Sequence, residues 1–415
     1  MKSHPLNPAD IETHSPALVE RATSGEADAQ FSLGVCFANG AGVEKDDKEA
    51  VRWYRMAAEQ GHAFAQCNLG LCYGRGEGIE KDWTEAIRWN RKAVEQGDAL
   101  AQMKLGLCYE NGMGVEKDEH EAVRWYRRSA EQGNSEGQRC LGNCYANGTG
   151  VEKDDQEAVH WYSEAAEQGD ASAQINLGIC YEYGTGIRRN AREAFGWYSK
   201  AAKQGDADAK FYLGNCNLTG TGILPRDEQE KYQWENEDMR KEDFNPFPSY
   251  PSDEFRHPWA VRCYRDAAEQ GHPGGQYMLG VCYATGTGVG EDGEEAVRWF
   301  SKAAKQGHRS TQCSLGGHYL NGAGVEKNEQ EAVCWFRKAA EQGDASAQSS
   351  LGFCYANGTG VPKAFVEAYM WFNVAAAQGE ENAAKSRDKL ESKMSPSDVS
   401  LAQRLSNEFN ARLGS

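Results

Sequence analysis

The dipeptide Leu-Gly returns along this chain at a fixed interval, and that interval decides what the chain can fold into. It stands at Leu33-Gly34, Leu69-Gly70, Leu105-Gly106, Leu141-Gly142, Leu177-Gly178, Leu213-Gly214, Leu279-Gly280, Leu315-Gly316 and Leu351-Gly352. The spacing is 36 residues except between Gly214 and Gly280, where it is 66, one unit plus an insertion of 30. A length of 415 residues would ordinarily imply two or three globular domains. A repeat of this period instead implies an array that grows in one dimension and needs no single large core.

One unit reads "AFAQCNLGLCYGRGEGIEKDWTEAIRWNRKAVEQG". Ala65, Leu69, Cys72 and Tyr73 recur at steps of three and four, the face of a first helix. A glycine-rich turn follows, written "YANGTGVEKD" two units later, where Gly148 is placed to end the helix in the left-handed conformation. In "EKDDQEAVHWYSEAAEQG", Asp154 is the expected cap of a second helix and Glu157 completes an Asp version of the capping box. Ala158, Trp161, Tyr162 and Ala165 make its buried stripe and Gly169 closes it. Two short antiparallel helices per unit, stacked to bury faces that neither could bury alone, is the expected architecture. Trp53, Trp89, Trp125, Trp161, Trp197, Trp299, Trp335 and Trp371 hold one position of the second helix and are expected in the core.

The pattern A-x-A-Q-x-x-L-G-x-C-Y-x-x-G-x-G-V-x-K-D-x-x-E-A-V-x-W-Y-x-x-A-A-E-Q-G closely resembles the Sel1-like repeat. The resemblance covers roughly residues 27–379. It implies an all-α fold, a right-handed α/α superhelical solenoid of about nine 36-residue repeats, related in shape to tetratricopeptide repeats. It also implies a non-catalytic adaptor that assembles protein complexes. Residues 1–26 then form an N-terminal extension with a partial capping helix, residues 27–379 the nine repeats, and residues 380–415 C-terminal capping helices. Ser395 as cap with Pro396 at the first helical position starts the last helix. This ending resembles bacterial Sel1-like proteins, so a bacterial source is expected.

Composition narrows the partners. A net charge of -17 and a pI of about 5.1 argue against broad binding of nucleic acid and against docking on an anionic membrane. No window approaches eighteen apolar residues and the opening "MKSHPLNPADIETHSPALVE" has no apolar run of the signal-peptide kind, so a cytoplasmic protein without direct membrane insertion is expected. Export by a signal-less route stays open. Cys36, Cys72, Cys108, Cys144, Cys180, Cys216, Cys282 and Cys354 hold one position in eight repeats, which reads as seam packing by reduced thiols. Cys263, standing where other units have Trp, is the one to test against Cys282. The "GxGV" turns lack the Gly-Lys-Ser/Thr of a phosphate loop and are followed by acids. Cys67 with Cys72, Cys140 with Cys144 and Cys313 with His318 supply no second pair, so no metal is expected. His62, His272 and His308 fall at inter-unit turns, and no nucleophile with base and orienter is legible. No cofactor is expected. An enzyme or enzyme inhibitor of hydrolase-like kind on the same solenoid remains the alternative.

Framework positions repeat, whereas ligand-binding positions should differ between units. The residue before each repeated Leu varies throughout and contributes Asn68, Lys104, Asn176 and Tyr212; the residue after each repeated Gly turns polar at Asn143 and Asn215; Tyr183 breaks a column of Asn. Unit six departs most, with Asn217 in place of an aromatic, and the irregular insertion, about 227–256, follows it. From Arg226 to Arg256 the insertion holds ten acids against five bases, and four prolines fall between Asn245 and Pro258. The prolines are expected to bar a helix, with the second helix resuming at Ala260. Its aromatics Tyr232, Trp234, Phe244, Phe247, Tyr250 and Phe255, with Trp259 beyond, want burial against something. The expected partner is another protein or an extended peptide, its basic segment drawn to the acidic rim.

Overall fold

The computed structural model describes residues 14–221 and 253–413, which form 21 α-helices and, among the described residues, no strand. Two compact units, Met1–Ala201 and Ala202–Ser415, divide the chain. In the first, α1 (Pro16–Thr23) precedes five helical pairs: α2 (Ala27–Asn39) and α3 (Asp47–Glu59), α4 (Ala63–Arg75) and α5 (Trp83–Glu95), α6 (Ala99–Asn111) and α7 (Glu119–Glu131), α8 (Ser135–Asn147) and α9 (Asp155–Glu167), α10 (Ala171–Tyr183) and α11 (Ala191–Lys203). The division falls inside α11. The second unit holds α12 (Ala207–Thr219) and α13 (Asp253–Glu269), α14 (Pro273–Thr285) and α15 (Gly293–Lys305), α16 (Arg309–Asn321) and α17 (Glu329–Glu341), α18 (Ala345–Asn357) and α19 (Phe365–Ala377). It ends with α20 (Glu381–Glu391) and α21 (Pro396–Leu413).

Repeat four shows why the sequence makes this pair. The Asp154 carboxylate accepts from the amides of Gln156 (2.9 Å) and Glu157 (3.1 Å), capping α9. The capping box is one-sided, however. The Asp154 amide donates to the Tyr145 carbonyl (3.0 Å) across the turn, so that donor is already taken and Glu157 does not reach back to it. At the end of α8, Gly148 has φ 72°, and the amides of Gly148 and Thr149 both donate to the Cys144 carbonyl. Gly150, at φ 65°, has a second reason to lack a side chain. A Cβ there would lie 2.2 Å from the Glu119 carbonyl oxygen at the start of the preceding repeat's second helix. The first glycine of the turn therefore ends a helix, and the second seats the turn on the preceding repeat, as at Gly78, Gly150, Gly186 and Gly360.

The seams carry the core. Ala158, Val159, Tyr162, Ala165 and Ala166 of α9 bury themselves with Ala173, Leu177 and Cys180 of α10. Gly142 of the Leu-Gly pair lies beneath the Tyr162 ring, where a Cβ would come within 2.7 Å of it. A glutamine relay, which no apolar periodicity announces, ties three helices at most seams. Gln66 donates to the Ala58 carbonyl of the preceding repeat (3.1 Å) and accepts from Gln96 at the end of its own second helix (2.8 Å). The same two bonds recur at Gln138 with Ala130 and Gln168, and at Gln348 with Ala340 and Gln378. Buried amides so paired fix the register of one repeat on the next.

Two expectations need correcting. The tryptophans are unequal: Trp53, Trp89, Trp335 and Trp371 are buried, whereas Trp125, Trp161, Trp197 and Trp299 are only half-buried. A long side chain three residues on covers the outer face, as Arg128 does over Trp125 and Lys200 over Trp197. The second helix of repeat six does not resume at Ala260 but runs from Asp253 through Pro258. One proline early in a helix forfeits a single i→i−4 bond, which seventeen residues of helix tolerate. At the ends of the described chain, Leu18 and Ala22 of α1 are buried against Ala29, Leu33 and Cys36, and Phe409 of α21 meets Trp371 edge-on at 5.0 Å.

Candidate functional site

The first unit carries a groove of about 480 Å³. Its walls come from four successive repeats. Phe31, Val35 and Asn39 of α2 and Phe64, Cys67 and Asn68 of α4 form one side, with Tyr54 of α3 at the base. The turns entering α6 and α8 form the other, with Asp98, Ala99, Leu100, Asn134, Ser135 and Glu136; Gln132 and Gln168 complete it. The apolar part is a consequence of the repeat, whose small first-helix residues let aromatic neighbours reach through. Part of the polar lining comes from the starts of α6 and α8, where capping side chains stand. Asp98 accepts the Ala101 amide (2.6 Å) and Asn134 the Gly137 amide (2.8 Å). Burial raises the Asp98 carboxyl above its ordinary value, against the opposing effect of the backbone amides of Ala101 and Leu100. Side-chain amides, a buried carboxylate and an apolar floor in one trench suit an extended chain, whose backbone needs donors and acceptors and whose side chains need burial.

The sequence-derived candidates scatter around this geometry. Asn68 lines the groove and hydrogen-bonds the Tyr54 hydroxyl. Lys104 lies beside it, its ammonium 3.4 Å from Glu136 of the groove wall. Asn143 and Asn176 are brought together, but with one another: Asn143 Oδ1 accepts from Asn176 Nδ2 (3.2 Å) and from the Tyr162 hydroxyl (2.8 Å). Tyr183, at the end of α10, is 70% exposed. In the second unit Tyr212 meets Phe211 edge-on, and Asn215 accepts from the Tyr264 hydroxyl (2.8 Å). Asn217 is 2% exposed and donates to the Leu213 carbonyl (2.8 Å), while its buried Oδ1 has no hydrogen-bond partner among the described residues. Trp259 is half-buried under the Arg262 guanidinium. Tyr232, Trp234, Phe244, Phe247 and Tyr250 lie outside the described residues, as does the side chain of Phe255. Sequence reading missed Asp98, Leu100, Asn134 and Glu136. The signal was available, since every helix-start turn must face somewhere, but which turns share a trench depends on the stacking.

A second recurring arrangement links the turns to the first helices. His62 caps α4 through Nδ1, which accepts the Ala65 amide (3.2 Å); its ring stacks on Phe31 at 4.7 Å and its Nε2 faces Asp28 at 3.3 Å. His272 repeats this with Gly275 (2.8 Å), Phe211 (4.8 Å) and Asp208 (3.0 Å). His308 packs on Tyr277. Where the first helix supplies Arg139 instead of an aromatic ring, the next cap is Asp170, 3.3 Å away. Cap and stacking partner are thus chosen together. Burial lowers the basicity of all three histidines, with Asp28 and Asp208 opposing it at the first two. Among the described residues no three His, Cys, Asp or Glu side chains gather as a metal site would need. Among the described residues no helix is long and apolar enough to cross a membrane. Cys263 and Cys282 are both buried free thiols.

Against known proteins, a family model described as Sel1 repeat matches residues 27–62, 63–98, 99–134, 135–170, 171–206, 207–234, 257–272, 273–308, 310–344 and 345–380. The break between the sixth and seventh segments, residues 235–256, falls within the insertion. Among solved structures, a protective antigen present in uropathogenic Escherichia coli strains displaying an SLR fold is 33% identical. The match covers 96% of this chain and 94% of that one, at a TM-score of 0.48. A Sel1 repeat protein from Oxalobacter formigenes is 28% identical over 84% of this chain and 97% of its own, at a TM-score of 0.55. No curated protein matches.

Proposed function

This chain belongs to the Sel1 repeat family, an all-α solenoid family of protein-interaction scaffolds, and on that premise we propose that it holds an extended segment of a partner protein in the groove of its first four repeats. The groove is the observation that carries the reading. It offers Asn68, Asn134, Gln132 and Gln168 as amides for a peptide backbone and Phe31, Phe64 and Leu100 as apolar contacts. Amide side chains satisfy a backbone without reading its sequence, so specificity must come from the apolar contacts and the charged pair Lys104–Glu136. The insertion of repeat six, acidic and aromatic, is a second contact for the same partner. It draws a basic segment, while Tyr212 and Trp259 stand on the flanking helices.

Affinity capture with the full chain identifies the partner, and equilibrium binding then tests where it sits. Ser135→Trp fills the groove from the first position of α8. Replacing residues 228–252 by a short Gly/Ser linker removes the insertion and stops before α13. The groove variant is expected to bind at least about tenfold more weakly, a loss ordinary for one contact of an interface. The insertion variant is expected to lose mainly the salt-dependent part of the association rate. Unchanged affinity in both variants would sink the reading.

A further inference from the structure

One column of the second helix is aromatic in every repeat but one: Tyr54, Tyr126, Tyr162, Tyr198, Tyr264, Phe300, Phe336 and Phe372, with Asn90 in repeat two. Each of the eight rings lies against the glycine of its Leu-Gly pair. A tyrosine hydroxyl in this column reaches the first helix, as Tyr126 does to Glu110 (2.7 Å). Repeat two lacks both parts. Asn90 stands for the ring, and Gly74 stands where repeat three has Glu110. Trp83 closes over Gly74, and a pocket of about 180 Å³ is left between Gly70, Gly74, Leu71, Leu107 and Met113. Asn90 lines it, is 3% exposed, and keeps a buried Oδ1 with no hydrogen-bond partner among the described residues. Arg75 and Lys104 stand among its walls.

We propose that this pocket is a socket for a tyrosine side chain of the bound partner. Asn90 Oδ1 itself lies against Gly70, where the rings of the other repeats lie, so the partner's ring fills the space beside it between Gly74, Leu71, Leu107 and Met113, and its hydroxyl meets the Asn90 amide. An apolar cavity of about 150 Å³ is enough to hold benzene, so the space suits one ring. A buried amide oxygen without a partner calls for a donor, and a phenol hydroxyl both donates and accepts. The pocket lies between the first helices α4 and α6; Leu71 and Arg75 line both it and a neighbouring hollow, and that hollow shares Asn39, Tyr54 and Asn68 with the groove. A chain lying in the groove can therefore place a side chain in the socket, and in this respect the inference rests on the function proposed above. Tyrosine is also a residue that commonly anchors interfaces in such pockets.

The test uses the full-length protein and saturation-transfer NMR titrations with p-cresol, N-acetyl-tyrosinamide and N-acetyl-phenylalaninamide. Expected are saturable binding of the first two, weaker binding of the third, and a loss of at least tenfold in Asn90→Tyr, whose own ring fills the socket and raises the melting temperature. Asn90→Leu keeps the side-chain size, removes the amide, and should bind the tyrosine and phenylalanine amides alike. The proposal is overturned if Asn90→Tyr, or Asn90→Leu should the first variant not fold, binds the three probes as the parent does. It is overturned equally if p-cresol binds but N-acetyl-tyrosinamide does not, or if the two amino-acid amides bind the parent equally well. These titrations need no captured partner, so a failed socket with a working groove variant separates this inference from the scaffold reading.

Discussion

A histidine at a helix start is a cap that protonation removes. His62 and His272 must keep Nδ1 unprotonated to accept the capping amide, and burial already disfavours their charged form. Both rings, and His308, take up a proton less readily folded than unfolded. Above their ordinary value of 6.5 they are neutral in both states and their contribution is whole. As pH falls through 6.5 the unfolded chain is protonated first, and stability is lost. The double variant His62→Asn and His272→Asn keeps a capping side chain that does not titrate, whereas His308 pairs with the Thr311 hydroxyl and makes no side-chain cap bond. Melting curves at pH 8 and pH 5.5 should show the parent losing on the order of 1 kcal/mol per cap more than the variant; parallel losses would contradict the assignment. The thiols make a second residue-scale test. Burial pushes Cys72 and Cys108 up to about 11 and Cys144 up to about 12, whereas Cys334 is the exposed cysteine. Alkylation at neutral pH should label Cys334 first and the seam cysteines only on unfolding.

At the scale of the element, two glycines of similar backbone conformation should respond differently. Gly169, at φ 94°, has open space within 4 Å of where a Cβ would stand, so Gly169→Ala should cost only the left-handed penalty of about 1 kcal/mol. Gly150→Ala adds a collision with the Glu119 carbonyl and should cost about 3 kcal/mol, read by urea denaturation. Equal costs would mean the second glycine of the turn serves only the turn. Trp161 offers a further check. Its indole N–H is buried without a hydrogen-bond partner among the described residues, so Trp161→Phe should cost less than about 1.5 kcal/mol, while Trp161→Ala should cost about 3 kcal/mol. What the sequence made legible at this scale was local. Asp154 could be read as a cap because its donors lie two and three residues on. The bond from its own amide to Tyr145 spans the turn, and the Gln168–Gln138 pair spans 30 residues, so neither follows from neighbours in sequence. Pro258 was read by propensity, which the rest of α13 outweighs.

For the whole molecule, the 36-residue period sufficed to give paired helices and seam packing, because every repeat states the same pattern. The functional surface did not follow in the same way. A comparison of first-helix columns finds Asn68 and Lys104 but passes over Asn90, whose departure is visible only in the second-helix column. It also passes over Asp98 and Asn134, which are ordinary caps until stacking turns them into one wall. Asn143 and Asn176 look like ligand positions in sequence and prove to be each other's partners. The claim that matters most is that the partner lies in the groove of the first four repeats. Hydrogen exchange of the full chain, alone and saturated with the partner it captures, measures this directly. Slowed exchange is expected to concentrate in 64–68, 98–101 and 133–137. Exchange unchanged in all three segments while the partner is bound would contradict it.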